Sequence, residues 1–463
     1  MEENYQSTPP AIEQPAETKI FDTIWFRLAV IVVITLLLLI PKEMISALNK
    51  ERQDTAISAQ DEITSKWAQP QHITGPILAI PCVKGKNTST LYVLPKSLNV
   101  NANVNSQTLH RSIYEAVVYN TGIDMNGTFD LHSQLALRDD SVKVQLDKAC
   151  VILGVTDLRG ISKRMMLSLN NKNYDIKDGG MNTDIQSRYE NLSLEGLAAS
   201  DEVLATTRGV EAVVSTPVDV TALAQTDSVP YNLHLDIKGS EMLSFAPVGE
   251  NTQICIKGDC TTPSFLGFIL PSDRKVDNNG FEATWNMIGI NRAYPQSFSD
   301  NQASAISNSH VAVSLKVPVE NSQKTERALK YGLLVIVLTF VAAFFTELKT
   351  HKRIGILQYV LIGLALVLFY SLLLSIGEHT AFAVAYLIAT VMTVTMVTLY
   401  VIGVLKARKQ GLMIGALLAL MYVYIFVLLN LETWALVAGS VGLFIILAAI
   451  MYYSLNLRPS ELK

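Results

Sequence analysis

The sequence predicts a polytopic α-helical membrane protein with a large, mostly antiparallel β-domain outside the membrane. Only 17% of the 463 residues are charged, against roughly 25% in soluble proteins. The apolar sequence that causes this deficit is concentrated in residues 24–40 and 331–455. Between them, short β-rich runs are separated by Gly, Asn, Asp and Pro, as in a soluble β-domain.

The first apolar segment, residues 24–40, is long enough to anchor the chain in a membrane, with Arg27 reaching back to the inner interface. A cleaved signal peptide is the alternative. The preceding residues are acidic, and Pro41-Lys42 follows without a small-residue cleavage site, which favours an uncleaved anchor. Residues 1–23 are polar and Pro-rich, which predicts a disordered cytoplasmic tail.

The C-terminal segment, residues 331–455, predicts a bundle of five more membrane helices. We expect these helices at residues 331–346, 356–376, 381–404, 411–430 and 435–453. Gly411 and Gly415, spaced as in a GxxxG motif, predict close helix packing. No ionisable residue lies clearly at the centre of a span, which counts against an ion pathway.

The breaks between these helices predict the orientation. Residues 347–353 and 406–409 each contain three Lys or Arg, whereas residues 377–380 and 430–433 contain none. The positive-inside rule places the first two breaks in the cytoplasm. Six helices with both termini in the cytoplasm, including a short tail at 456–463, then place the large domain in the periplasm of a bacterial inner membrane.

Residues 42–69 predict an amphipathic helix that continues from the anchor and ends at Gln69-Pro70. Its stripe, at steps of three and four residues, consists of Ile45, Leu48, Arg52, Ala56, Ala59, Ile63 and Trp67. We expect the stripe to cap the domain behind the anchor. The alternatives are that the stripe pairs with another subunit or lies on the membrane.

Residues 70–328 predict the β-domain. In the run at 231–240, Leu233, Leu235 and Ile237 alternate with polar residues and should face the core. The stretch 180–207 is ambiguous and is interpreted as a short helix followed by a loop.

All four cysteines (Cys82, Cys150, Cys255 and Cys260) lie in this domain, and disulfides persist in a periplasm. The segment from Cys255 to Cys260 is interpreted as a hairpin with Lys257-Gly258 in its turn. The two cysteines would then face each other at a distance that permits a disulfide. The alternative is two reduced, buried residues.

The sequence contains no HExxH, GxSxG, Walker A, Rossmann or CxxC motif, and its seven histidines have no metal-ligand spacing. We therefore expect no catalytic residues, metal or cofactor. The net charge of −4 argues against a nucleic-acid partner. The turn from Asp157 to Gly160 is interpreted as a structural ion pair. Glu378 and His379 form the candidate functional polar pair, which would sense pH or contact the external domain; a solvated loop is the alternative.

An ordered set of short segments along the chain resembles the CreD family of bacterial inner-membrane proteins. The segments are Gly75-Pro76, Tyr92-Val-Leu-Pro95, Arg111-Ser-Ile-Tyr114-Glu115, Asp157-Leu-Arg159-Gly160, Gly239-Ser240, Pro247-Val-Gly249, Pro263-Ser-Phe265, Gly280-Phe-Glu-Ala-Thr-Trp285, Arg292, Pro295-Gln296, Thr325-Glu-Arg-Ala-Leu-Lys-Tyr331, Leu338-Thr-Phe340, Gln358-Tyr359, Phe369-Tyr370, Glu378-His379 and Ala385-Tyr386-Leu387. Two positions depart from the family pattern. Cys260-Thr-Thr262 stands where the family carries Trp-Pro-His, and Ser322 replaces an aromatic residue.

The resemblance implies a non-enzymatic inner-membrane protein that supports cell-envelope integrity and tolerance of envelope stress. Its partners would be the lipid bilayer and other envelope proteins or a second copy of itself. A membrane transporter or channel is the alternative function, and a membrane-anchored envelope enzyme is a third.

Overall fold

The structure, a computed structural model, describes residues 24–112, 114–136, 141–176, 212–292, 294–299, 306, 309–315, 320–350, 354–431 and 435–455. The predicted tails at 1–23 and 456–463 and the ambiguous stretch 180–207 lie outside these residues. The chain divides into two compact units: a helical unit drawn from residues up to Thr55 and from Val319 onward, and a β-rich unit within Ala56–Pro318.

Each predicted span corresponds to a described helix, and two further α-helices are described. The described helices are α1 (Ile24–Trp67), α2 (Leu131–Ala136), α3 (Glu320–Lys330), α4 (Gly332–Thr350), α5 (Ile356–Gly377), α6 (Phe382–Leu405), α7 (Arg408–Asn430) and α8 (Ala435–Leu455). Among the described residues, five helical stretches are long and apolar enough to cross a membrane: those in α1, α3–α4, α5, α6 and α7. Helix α8 contains a shorter apolar stretch, Val437–Tyr452.

Helix α1 is a single helix of 44 residues that runs through Pro41. The anchor and the helix after it are therefore continuous, as the sequence predicts. The predicted stripe is only partly buried, because Leu48 and Arg52 are exposed. Two polar residues in the part of α1 after Pro41, Asn49 and Thr64, are buried.

The bundle core is rich in aromatic side chains, among them Phe340, Phe369, Tyr370 and Tyr422. Small residues let the helices approach closely. The Cα of Gly363 in α5 faces Leu38 of α1 so tightly that a Cβ would overlap it. At Gly411 and Gly415 of α7 a Cβ would likewise overlap side chains of α6, which confirms the predicted close packing.

The described strands are β1 (Gln71–Lys84), β2 (Asn87–Val93), β3 (Ser97–Arg111), β4 (Tyr114–Phe129), β5 (Lys143–Val144), β6 (Ala149–Val155), β7 (Met165–Leu169), β8 (Lys172–Ile176), β9 (Ala212–Val218), β10 (Val229–Ser240), β11 (Met242–Ala246), β12 (Asn251–Gly258), β13 (Ser264–Gly267), β14 (Asp273–Asp277), β15 (Gly280–Ile288), β16 (Ser297–Ser299) and β17 (Val311–Ser314). They form two sheets. The first has the order β13-β17-β11-β1-β2-β16, with β5 and β6 also on β1 and β9 on β6. The second has the order β14-β15-β12-β3-β4-β10-β7-β8.

Pairing between the described strands is antiparallel except for β1 with β11 and β12 with β3. One hydrophobic core contains side chains from both sheets, such as Phe245 of the first and Trp285 of the second. The predicted alternation in β10 is confirmed, since Leu233, Leu235 and Ile237 are buried. The β-rich unit is therefore two sheets packed over a shared core.

Candidate functional site

The candidate pair Glu378 and His379 lies just after the C-terminus of α5. The Glu378 carboxylate is 3.5 Å from Nε of Arg52 in α1. His379 is exposed, and its backbone N–H donates to the Ile376 carbonyl at 3.1 Å. The charge partner of Glu378 is therefore Arg52, a residue that the sequence placed only in an amphipathic stripe.

Asn49 lies one helical turn before Arg52, on the same side of α1. Its side chain is buried, and among the described residues its Oδ1 atom has no hydrogen-bond partner. The side chains of Arg52 and Glu378 are both partly exposed, so their contact contributes little to the stability of the unit.

A second polar cluster joins three helices near the other end of the bundle. Arg27 of α1 donates to Oε1 of Glu347 in α4 at 2.7 Å, and the Tyr359 hydroxyl of α5 contacts Oε2 at 3.2 Å. The Glu347 side chain is only 5% exposed. The sequence interpretation was wrong here, since it placed Glu347 in the break after the helix, and α4 continues to Thr350.

In the β-rich unit, Asp157 and Arg159 form the predicted ion-paired turn. Nε and Nη2 of Arg159 donate to the two carboxylate oxygens at 2.9 and 2.7 Å, and Nη1 donates to the Ser65 carbonyl in α1 at 2.7 Å. Burial alone would raise the pKa of Asp157, but the hydrogen bonds from Arg159 and from the Gln69 backbone hold it below its usual value. The turn thus fixes the C-terminal end of α1 on the sheets, which is a structural role.

A buried histidine lies at the centre of the first sheet. His72 is 3% exposed, its Nδ1 is 2.7 Å from Oγ of Ser244, and its ring meets that of His310 edge to face at 6.3 Å. Burial lowers the pKa of His72 from 6.5 to about 4. The ring is therefore neutral at physiological pH. Sequence reasoning found no role for this residue.

The predicted hairpin between Cys255 and Cys260 is wrong. Lys257 and Gly258 do not form a turn, because they continue β12 and pair with Glu282 and Phe281 of β15. Both cysteines have free thiols and are half-buried. The geometric basis for a disulfide is therefore absent. Cys82 and Cys150 form no disulfide either, and both are buried.

Near Cys255, the end of the second sheet carries a polar depression of about 430 Å³. Its charged side chains are already engaged. Lys257 contacts Glu282 at 2.9 Å, and Asp259 accepts hydrogen bonds from the backbone and side chain of Ser106. In the part of the chain that the structure describes, no three His, Cys, Asp or Glu side chains are grouped as metal ligands.

Comparison with known proteins gives one family. The family described as "Inner membrane protein CreD" matches residues 23–458. The chain belongs to the CreD family. It is 29% identical over 435 residues to "Inner membrane protein CreD" of Escherichia coli (strain K12), an alignment that covers 91% of this chain and 90% of that protein. The resemblance seen in the sequence is confirmed, and with it a multi-pass inner-membrane protein.

Several segments that resemble the CreD family make long-range contacts in the β-rich unit. The Gln296 amide donates to the Leu94 and Pro95 carbonyls at 2.7 Å, and Arg292 donates to the Val248 carbonyl at 2.8 Å. The Trp285 indole donates to the Ile269 carbonyl at 3.2 Å. These side chains tie loops to one another or to a strand, so at these positions the CreD pattern marks packing.

Two of the polar groups that sequence reasoning missed are Glu347 and His72. A signal existed for Glu347: it is the one acidic residue in a basic break, and it follows an apolar helix without a helix-breaking residue. For His72 there was no signal, because its neighbours His310 and Ser244 are distant in sequence.

Proposed function

We propose that this CreD-family protein supports the integrity of the cell envelope without catalysing a reaction. In this proposal the β-rich unit works on the periplasmic side, and six membrane helices hold it there. The observation that carries the proposal is that the family match extends over both units, from residue 23 to residue 458.

Charge supports the orientation. The breaks before α5 and between α6 and α7 are basic, whereas those between α5 and α6 and after α7 contain no Lys or Arg. Helix α8 has 21 residues, so it is about 31 Å long and matches a hydrocarbon core of about 30 Å. Counting α8 as a span gives six, with both termini in the cytoplasm.

The distribution of ionisable groups supports a platform role for the bundle. Helices α5, α6 and α8 contain no Asp, Glu, Lys, Arg or His within their bounds. The buried carboxylate of Glu347 lies near the end of α4, and contacts with Arg27 and Tyr359 engage both of its oxygens. An ion or proton pathway ordinarily retains ionisable residues deep in the membrane.

A complementation experiment tests the proposal. A strain lacking the gene is challenged with a cell-wall antibiotic or a detergent. It is then complemented with the full chain, or with residues 42–328 attached to an unrelated single-span anchor. The control is the same anchor carrying an unrelated exported domain.

We expect the re-anchored domain to restore a substantial part of the tolerance, and the control anchor to restore none. Absence of rescue by a domain shown to be exported and folded would move the function to the helices and favour the transporter alternative. Loss of rescue on mutating one exposed polar cluster, with folding intact, would instead favour an enzyme.

A further inference from the structure

Three hydroxyl groups buried in the helical bundle have no hydrogen-bond partner among the described residues: Tyr422 Oη, Thr390 Oγ1 and Thr393 Oγ1. Tyr422 is fully buried and Thr393 is 1% exposed. Buried hydroxyls nearly always have a partner, since a hydroxyl without a hydrogen bond has lost its contacts with water and gained nothing in return. Three such groups on two neighbouring helices require an explanation.

Other threonines in the same unit show what a local solution looks like. Thr35, Thr339 and Thr346 each donate to the carbonyl four residues earlier, at 2.7–2.8 Å. Any threonine within a helix can form this hydrogen bond. Thr390 and Thr393 of α6 do not make it, so their hydroxyls are directed elsewhere.

The packing of α6 against α7 brings the backbone positions of Thr390 and Thr393 close to the level of Tyr422. Gly415 of α7 lies against Thr398 of α6, and Gly411 lies against Ile402. Extending this antiparallel register brings Thr390 and Thr393 level with residues 420–423 of α7, which include Tyr422. The Tyr386 hydroxyl independently joins the helices here, since it donates to the Tyr422 carbonyl at 2.8 Å.

The surroundings of Tyr422 are aromatic and uncharged. The Phe369 ring lies 4.4 Å from the Tyr422 ring and 5.4 Å from that of Tyr386, measured between centroids. Thr390 lies eight residues into α6, about 12 Å from its N-terminal end. A lipid head group would not reach this depth in the hydrocarbon layer, whereas a small molecule within the bundle would.

We propose that Tyr422, Thr390 and Thr393 bind a small uncharged molecule that both donates and accepts hydrogen bonds. Water is the smallest member of this class, and a small polyol such as glycerol is a larger one. Helices α5 and α6 contain no charged residue within their bounds, so they offer an ion no counter-charge. The bundle then has a binding role of its own, in addition to serving as the platform in the proposed function.

Radical labelling of the full chain in lipid nanodiscs tests the site. Hydroxyl radicals generated by X-rays modify a buried ring only where bound water is adjacent. We expect Tyr422 to be modified well above Phe340, which is equally buried in the bundle. Because glycerol scavenges radicals throughout the sample, labelling of Tyr422 is compared with that of Phe340. A lower ratio with added glycerol would identify a polyol as the occupant, and an unchanged ratio would identify water.

Isosteric variants provide a second measurement. If the site is occupied, Tyr422→Phe and Thr393→Val each remove a hydrogen bond, and the thermal midpoint should fall by about 3 °C. Thr339→Val, which removes a hydroxyl that already has a partner, is the matched control for the size of that loss. An unlabelled Tyr422 together with midpoints that rise in both variants would show a dry cluster and overturn the proposal.

Discussion

Arg27 and Glu347 form a 2.7 Å ion pair between helices α1 and α4, although 320 positions separate them in the sequence. The Tyr359 hydroxyl approaches the second carboxylate oxygen at 3.2 Å, so a third helix shares the contact. The Glu347 side chain is almost completely buried, whereas that of Arg27 is 25% exposed. The ion pair between Arg27 and the buried Glu347 thus links the N-terminal anchor to the C-terminal bundle.

The first prediction concerns this pair. Arg27→Met removes the guanidinium that lies 2.7 Å from the buried Glu347 carboxylate, and removal of one partner from a buried pair costs about 3–5 kcal/mol. The partial exposure of Arg27 places the expected loss at the lower end, about 3 kcal/mol. The measurement is the thermal unfolding of the full chain in detergent or nanodiscs.

The double variant Arg27→Met, Glu347→Gln should recover much of this loss, because no buried charge is left. A matched control is Lys330→Met, which removes an exposed pair with Glu326 at 2.9 Å and should cost less than about 0.5 kcal/mol. Equal effects of the Arg27 and Lys330 changes would show that the buried pair has no special role.

The second prediction concerns pH. Since burial lowers the pKa of His72 to about 4, the unfolded chain takes up a proton below pH 6.5 while the folded protein does not. The contribution of the neutral His72 to the stability of the β-rich unit is therefore fully present above pH 6.5 and is lost as the pH decreases toward 4. The total loss is about 3 kcal/mol. Unfolding is followed by tryptophan fluorescence, to which the buried Trp285 contributes.

His72→Gln should flatten this part of the stability profile, because the group that takes up the proton is gone. His132→Gln, at an exposed histidine, is the control for the substitution itself. A profile that is as steep in His72→Gln as in the wild type would assign the acid sensitivity to other groups.

Strand β3 shows what the sequence reveals and what composition hides. Leu98, Val100, Ala102 and Val104 are buried, and polar residues, mostly Asn, stand between them. The alternation is visible in the sequence, although Asn is unfavourable in strands. Hydrogen bonding to β4 on one side and β12 on the other outweighs that preference.

Gly258 shows why a local turn signal failed. A glycine between two short runs was interpreted as part of a hairpin turn, yet here it lies in the ladder beside β15. A Cβ at this position would come within 2.6 Å of the Phe281 ring. The residue is therefore small to permit close packing, and only the positions of the neighbouring strands reveal this.

The bundle was predicted better in its spans than in its contacts. Apolar length located the helices within a few residues, because the membrane requires about 20 apolar residues for each span. The charge partners of Glu347 and Glu378 are Arg27 and Arg52. Both arginines lie in α1, far from the glutamates in sequence, so these pairs could not be predicted.

The third prediction concerns the cysteines. Cys255 and Cys260 should both be alkylated in the native protein without reduction, because their thiols are free and half-buried. Cys82 and Cys150 should react only after unfolding, since both are buried and burial raises the pKa of Cys150 to about 11. Mass spectrometry of non-reduced peptides gives the answer. A peptide pair linked through Cys255 and Cys260 would show that the disulfide expected from the sequence does form.

The last prediction is the orientation of α6, on which the proposed function depends. Single cysteines are introduced at Arg408 and Thr380, exposed residues beyond its two ends, in a chain with Cys255→Ser and Cys260→Ser to remove the half-buried thiols. In spheroplasts, an impermeant thiol reagent should label the cysteine at 380 and spare that at 408, because the basic break faces the cytoplasm.

A third cysteine, at the exposed Lys86 in the turn between β1 and β2, reports the β-rich unit in the same cells. We expect it to label together with position 380, which would place the unit in the periplasm. Permeabilised cells should label all three positions, which controls for the reactivity of each thiol. Labelling at 408 and not at 86 in intact spheroplasts would invert the topology and remove the basis for a role of the β-rich unit in the periplasm.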